Sequence, residues 1–217
     1  MLRVEKLSPA FVESDSFSIE RELYRQGNSM VAGVDEAGRG PLAGPVVAAC
    51  VVLPVACNYR QFKDSKTLSP SARVRLFQIL KQPEVLIGVG IVSEKDIDRI
   101  NILQASLLAM RKAVLSLASF PDFLLVDGKF SVPVRMAQYT LVKGETRSAS
   151  IAAASIVAKV VRDELMERYH EQYPQYNFGK HKGYPTAEHR DLLKRLGPCP
   201  IHRLTFRGVK ELLAGQS

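Results

Sequence analysis

Apolar positions recur along this chain in two rhythms, one near every third or fourth residue and one in short β-branched runs. Over residues 16–26, Phe17, Ile19, Leu23 and Tyr24 fall at helical spacing and Gly27 ends the run, which predicts a short helix. Residues 30–35 and the Val-rich residues 46–53 predict two strands separated by a turn rich in Gly and Pro, and residues 85–92 predict a third. Between the second and third strands, Ser69 followed by Pro70 supplies an N-cap and a first helical residue for a helix carrying Val74, Leu76, Phe77 and Leu80. Ser93 caps a longer amphipathic helix reaching about residue 118, with Ile97, Ile100, Leu103, Leu107 and Met110 on one side. Residues 123–126 form a fourth strand ending at Asp127-Gly128, residues 139–142 a fifth, and residues 149–169 a second long helix rich in Ala and Ile.

Strands come first and then alternate with helices, which predicts an α/β domain around a mixed sheet. The pattern divides the chain into an N-terminal helical extension (1–29), an α/β domain (30–173) and a looser, basic helical part (174–217) punctuated by Pro174, Pro185, Pro198 and Pro200. No repeat or low-complexity tract interrupts it. A length of 217 residues buries one real core, and 46% hydrophobic with 24% charged residues excludes disordered and fibrous classes. Thirty Lys plus Arg against 22 Asp plus Glu give a formal charge of +8, which favours a polyanionic partner without proving one. Cys50, Cys57 and Cys199 are odd in number and form no C-x-x-C pair, so they read as reduced thiols. The opening MLRVEKLSPAF lacks a secretory apolar stretch and no apolar run is long enough for a membrane helix, so a cytoplasmic protein without membrane partners is expected.

Candidate chemistry collects at strand ends. Asp35 and Glu36 close the first strand and Asp127 closes the fourth, and in an α/β sheet ligands gather at the carboxyl ends of strands. Neighbouring strand residues point to opposite faces, so Asp35 and Glu36 share a site only where the chain turns, as Ala37-Gly38-Arg39-Gly40-Pro41 permits. Three hard oxygen donors there suit Mg²⁺ or Mn²⁺, and two such ions serve phosphodiester hydrolysis. Each piece alone also fits a solvated turn. His170, His181, His189 and His202 show no zinc spacing and read as surface or hydrogen-bonded histidines. The glycine-rich turn could cradle a pyrophosphate, but Pro41, Pro45 and the following Val run make a strand where a dinucleotide-binding turn opens a helix.

At GVDEAGRGPLAGPVVAA, residues 33–49, the chain resembles bacterial ribonuclease HII, the type 2 ribonuclease H family. The likeness continues at DSKTLS (64–69), LVDG (125–128), SIAAASIVAKVVRD (150–163), HKGYPT (181–186) and HRLTF (202–206), in family order. It implies a ribonuclease-H-like α/β fold with a C-terminal helical part that contributes to substrate binding. It further implies an endonuclease that uses Mg²⁺ or Mn²⁺ to hydrolyse the RNA strand of RNA–DNA hybrids and to nick at single ribonucleotides embedded in duplex DNA, the first cut of ribonucleotide excision repair. Carried over by motif, Asp35, Glu36 and Asp127 are metal ligands. Gly38, Arg39 and Gly40 meet the 2′-hydroxyl side of the junction. Lys66 holds a phosphate, and Tyr184 packs against the following deoxyribose. A monomer is expected.

One position departs from the family pattern. The fourth carboxylate follows a Lys/Gln-Gly pair as Asp in the family, whereas here Lys143-Gly144 precedes Glu145. The segment otherwise matches, so the resemblance carries the catalytic role to Glu145; Asp163 is the other candidate. Asp163 lies about 20 Å along a helix beginning near residue 149, and it stands four residues after Lys159, which also makes it a natural helix-surface ion pair. Ribonuclease HIII shares the chemistry but carries an added N-terminal domain and lacks the tyrosine, while only about 29 residues precede the first strand here. A hybrid-binding protein without catalysis is the remaining alternative, and Glu145 is its one hint.

Overall fold

Runs of Val, Ala and Ile without charge are suited to a strand covered on both faces, and the chain uses its most apolar run in that way. In the computed structural model, which describes residues 15–62 and 68–214, all seven residues of β2 (Val46–Val52) are buried. It lies between β1 (Val31–Ala37) and β3 (Leu86–Val92), antiparallel to both. On the other side of β1 run β4 (Phe123–Asp127) and β5 (Ala137–Leu141), each parallel to its inner neighbour, giving the order β3-β2-β1-β4-β5. The α/β mixed sheet predicted from the pattern is the one observed. The boundaries differ by a residue or two. In β1 the strand runs two residues further than expected, with Glu36 and Ala37 still paired with Ala48 and Val47.

Helices cover both faces. On one, α3 (Glu94–Leu115) packs Ile97, Ala105, Ala109 and Ala113 against Ala32, Val34, Ala48, Cys50 and Val126. On the other, α4 (Ala149–Gln172) lays Ala152, Ala153 and Ile156 against Ala49 and Val51, flanked by α1 (Ser18–Arg25) and α2 (Pro70–Leu80). The small residues of α4 let it come to backbone contact with β1. A Cβ added at Gly33 would sit 2.0 Å from the carbonyl carbon of Ser150. This approach fixes the start of α4 over Gly33, and the helix then runs along β1 so that Ser155 and Arg162 reach Asp35 and Gly38 at the strand's end.

The long helix predicted from Ser93 is interrupted. Asn101 adopts φ 67°, ψ 165°, and its Oδ1 accepts from the amides of Leu103 (3.0 Å) and Gln104 (3.1 Å), so the chain restarts there with a new N-cap. Ile97 and Met110 are buried as the spacing predicts, but Leu103 and Leu107 stay at the margin while alanines face the sheet. The C-terminal part continues through α5 (Phe178–His181), α6 (Ala187–Leu196) and α7 (Lys210–Ala214). It is bound firmly to the β1–β2 turn: Leu42 N donates to Gly183 O, Gly44 N to Ile201 O and Arg203 N to Leu42 O, each at 2.8 Å. Ala43, Met166, Tyr176, Phe178 and Ile201 make a small apolar core beneath that joint.

Candidate active site

Parallel pairing sets Asp127 beside Asp35. Val34 pairs with Val126 across β1 and β4, so the next residue of each strand is a carboxylate, and both project to the side covered by α4. Asp35 is 5% exposed, accepts from the Glu36 amide at 2.7 Å and is hydrogen-bonded by the Ser155 hydroxyl of α4. Burial raises its pKa well above the usual carboxylate range, and the charges of Glu36 and Asp127 raise it further. Asp127 Oδ1 accepts from the Gly144 amide at 2.7 Å, the first residue of a 3₁₀ turn, Gly144–Thr146. That turn carries the buried Glu145 to Asp127, with which it shares a hydrogen bond. Burial, then Glu145 and Glu36, push Asp127 up to about 6 against the pull of the Gly144 N–H.

Glu36 leaves β1 on the other face, opposite Ala48, and pairs with Arg39 at 3.2 Å. The strand does not turn between Asp35 and Glu36. The two carboxylates instead flank the strand end, close enough for each to feel the other's charge. Among the described residues no three His, Cys, Asp or Glu side chains form a ready-made ligand set for one ion. The electrostatics nevertheless suit a cation: buried like charges relieve their repulsion by taking up a proton or a counter-charge, and hard carboxylate oxygens favour Mg²⁺ or Mn²⁺. Asp163 takes no part in this cluster's contacts. It pairs with Lys159 at 2.6 Å and Arg73 at 3.5 Å.

The turn after β1 is shaped from inside by two arginines that are fully buried. Arg203 donates from Nε to Gly44 O (2.9 Å), from Nη1 to Arg39 O (3.0 Å), and from Nη2 to Gly38 O (2.6 Å) and Pro45 O (3.2 Å). Arg162 of α4 donates to Pro45 O (3.1 Å), Ala43 O (3.3 Å) and Lys182 O (3.1 Å). In a trans peptide the C=O of one residue and the N–H of the next point in opposite directions. Carbonyls of Gly38 and Arg39 drawn inward therefore turn the amides of Arg39 and Gly40 outward. Gly38 itself has φ 98°, and a Cβ there would meet Arg162 Nε at 2.2 Å, so only glycine fits between strand end and guanidinium. Burial and the neighbouring Arg162 push the pKa of Arg203 down to about 9, still charged at neutral pH.

Tyr184 stands at the rim, 38% exposed, with Gly40 beside its ring and the cationic heads of Lys159 and Arg162 at 5.5 and 5.6 Å from its centroid. Its backbone is held by histidines. His189 Nδ1 bonds Tyr184 O at 2.9 Å, His189 Nε2 meets His202 Nε2 at 3.1 Å, and His202 Nδ1 accepts from Cys199 N at 2.9 Å. Burial lowers the pKa of both His189 and His202 to about 4, so the relay is neutral. The hydrogen-bonded reading of these histidines fits, although His181, His189 and His202 are interior. Lys66 lies outside the described residues.

Residues 32–209, most of the chain, match the family profile described as Ribonuclease HII. The chain belongs to the ribonuclease HII family. The ribonuclease HII of Desulfotalea psychrophila is 58% identical over 200 residues, spanning 91% of this chain and 89% of the relative. That of Geobacter sulfurreducens is 54% identical over 197 residues, 91% of each. The crystal structure of ribonuclease H2 from Pyrococcus horikoshii OT3 superposes with a TM-score of 0.71 at 29% identity, over 86% of this chain and 98% of that one. Bst ribonuclease HIII, crystallised in complex with Mn²⁺, shares the fold with a TM-score of 0.72 at 20% identity, over 88% of this chain and 71% of that one. As a ribonuclease HII family member, the chain is an endoribonuclease of a metal-dependent family, and it cleaves RNA in RNA–DNA hybrids. Among the described residues no helix is long and apolar enough to cross a membrane, and Cys50, Cys57 and Cys199 are free thiols.

Sequence reasoning did not find Arg162 and Arg203. Both sit inside motifs quoted for the resemblance, yet a lone arginine reads as a surface charge. The usable signal was Arg162 at i+4 from Ala158 and i−4 from Met166, the buried line of α4.

Proposed function

We propose that Asp35, Glu36, Asp127 and Glu145 hold divalent cation at the end of β1, that the cation is Mg²⁺ or Mn²⁺, and that the same site nicks duplex DNA at a single embedded ribonucleotide. The observation that carries the reading is the placement of Asp35 and Asp127 side by side, each one residue past the Val34–Val126 pair of adjacent parallel strands, with Asp35 buried and the buried Glu145 hydrogen-bonded to Asp127. When bound, such ions neutralise charge on the attacking and leaving oxygens of phosphodiester hydrolysis. The chain's own residues set the rest. Asp127 is fixed by the Gly144 amide and Asp35 by Ser155 and the Glu36 amide, so neither carboxylate has to reorganise as charge develops. The outward amides of Arg39 and Gly40 meet the ribose 2′-hydroxyl, the group that separates RNA from DNA. The Tyr184 ring, backed by two cations, packs on the next sugar. Lys66 contacts a phosphate.

The C-terminal part extends the track for the duplex. Beside Gly40 and Pro185 runs a groove whose lining includes Arg190, Lys194, Arg207 and Phe206, a basic wall continuous with the turn. Such a wall contributes salt-dependent, sequence-independent attraction to phosphates. The substrates are then the RNA–DNA hybrid and ribonucleotide-containing duplex DNA, bound by a monomer. A duplex with one ribonucleotide, incubated with Mg²⁺ and with Mn²⁺, tests the proposal: a single nick beside the ribonucleotide is expected with at least one ion. Cleavage confined to long hybrids would leave the family activity and remove the finer reading.

A further inference from the structure

Helix α1 reaches the catalytic cluster through one buried acid. Glu20 is fully buried; its Oε1 accepts from the Ser148 hydroxyl at 2.6 Å and from the Ser150 amide at 3.0 Å. Just ahead of the same helix, Ser16 O accepts from the Ala149 amide at 2.6 Å. Ser148 is the N-cap of α4, its hydroxyl also accepting from Ile151 N at 3.2 Å. From Ser148 the bonding continues inward: Ser148 N donates to Gly144 O at 2.8 Å, and Gly144 N donates to Asp127 Oδ1 at 2.7 Å. Between these residues lies Glu145, hydrogen-bonded to Asp127. An unbroken chain thus runs Glu20, Ser148, Gly144, Asp127.

The acid is costly where it stands. Glu20 Oε2 is buried with no hydrogen-bond partner among the described residues, and burial raises the Glu20 pKa. An apolar residue would pack there without that cost, as its neighbours Ile19 and Leu23 do. What only an acceptor supplies is a fixed point for Ser148 and Ser150, on opposite sides of the first helical residue of α4. The 3₁₀ turn Gly144–Thr146 holds Glu145, and only Arg147 separates that turn from the cap Ser148, so a shift of the cap is transmitted to Gly144 and Glu145 with little slack.

We infer that Glu20 is a positioning residue for the cleavage reaction, holding the turn that presents Glu145 and the Gly144 amide to Asp127. The inference rests on the proposed role of Asp127 and Glu145 at the site. The N-terminal helix is then part of the active-site scaffold.

The test compares Glu20→Ala, Glu20→Asp and Glu20→Gln in the full chain with Asp127→Asn as a control, on an RNA–DNA hybrid at saturating Mn²⁺ and Mg²⁺ and well below each melting temperature. Ala removes the acceptor, Asp retracts it, and Gln keeps an Oε1 in place. Glu20→Ala and Glu20→Asp should lower kcat by about tenfold or more with KM for the hybrid nearly unchanged, because displacement of catalytic groups by about 1 Å costs rate rather than binding. Glu20→Gln should restore most of kcat. If Glu20→Ala does not fold, Glu20→Asp carries the comparison. A lowered melting temperature with wild-type kcat in the folded Ala or Asp variant, or a Gln variant as slow as Asp, would overturn the inference. An active Asp127→Asn enzyme would instead overturn the site reading on which it rests.

Discussion

Replacing Arg203 by lysine keeps the buried charge and removes the fork. In the native turn the guanidinium serves four carbonyls, those of Gly38, Arg39, Gly44 and Pro45, at distances of 2.6 to 3.2 Å. A lysine ammonium is a single point with three donors and cannot reach carbonyls spread around a planar fork. It satisfies about two of them. Each of the others then loses its bond at a cost of about 1–2 kcal/mol, for a total of about 2–4 kcal/mol. At roughly 2–4 °C per kcal/mol for a domain of this size, the melting temperature should fall by about 5–15 °C. The freed peptides also let the amides of Arg39 and Gly40 rotate, and a displacement of about 1 Å at a substrate-positioning group costs about a hundredfold in rate. Thermal unfolding by circular dichroism and hybrid cleavage on the same preparation give both numbers. A melting temperature within about 2 °C of wild type, with unchanged cleavage, would refute the idea that Arg203 shapes the turn.

Three further outcomes follow from the site. The raised pKa of Asp127, about 6, means that without a divalent ion the folded protein holds a proton there that the unfolded chain has released. Stability of the ion-free protein should therefore fall as pH rises from about 4 to about 6, and Asp127→Asn, which keeps the acceptor for Gly144, should flatten that slope in melting curves; an unchanged slope would count against the coupling. Glu145→Ala should lower the maximal rate at least about tenfold, Glu145→Asp should remain active with an altered Mg²⁺/Mn²⁺ preference, and Asp163→Ala, losing its pairs with Lys159 and Arg73, should affect stability more than rate. Rates of all three at saturating ion decide whether Glu145 is needed. Tyr184→Ala should lose cutting at a single embedded ribonucleotide while long hybrids are still cleaved; equal loss on both substrates would make the residue structural.

Much of this was legible in the sequence because strand ends announce themselves. Val, Ala and Ile runs closed by Asp35-Glu36 and by Asp127-Gly128 gave the strands, and parallel pairing in register then brings Asp35 and Asp127 together. Glu145 could be placed near them because the resemblance puts a carboxylate after Lys143-Gly144, just before α4; in the structure Lys143 takes the left-handed conformation, φ 56°, at the start of that turn. The turn expected to bring Asp35 and Glu36 together does not lie between them, since both stay paired within β1. Charges on opposite faces couple around a strand end. The break at Asn101 escaped notice because the apolar spacing continues across it, and a capping asparagine inside a helix looks like any polar position. Glu20, Arg162 and Arg203 were missed for a common reason. A charged residue is read as solvent-facing unless its partners are visible, and most of these partners are distant in sequence: backbone carbonyls of the β1–β2 turn 117 to 165 residues away for the arginines, and the Ser148 hydroxyl and Ser150 amide 128 and 130 residues away for Glu20.

Asp35→Asn on an RNA–DNA hybrid, with cleavage and binding measured on the same protein, tests the central claim most directly. Asparagine keeps the shape and can still accept from the Glu36 amide, but it removes the charge at the heart of the cluster. The basic surface is untouched. The account predicts that cleavage with Mg²⁺ and with Mn²⁺ is abolished while affinity for the hybrid is nearly unchanged. Cleavage within about threefold of wild type would contradict it, because a centre built on these carboxylates cannot spare the most buried of them.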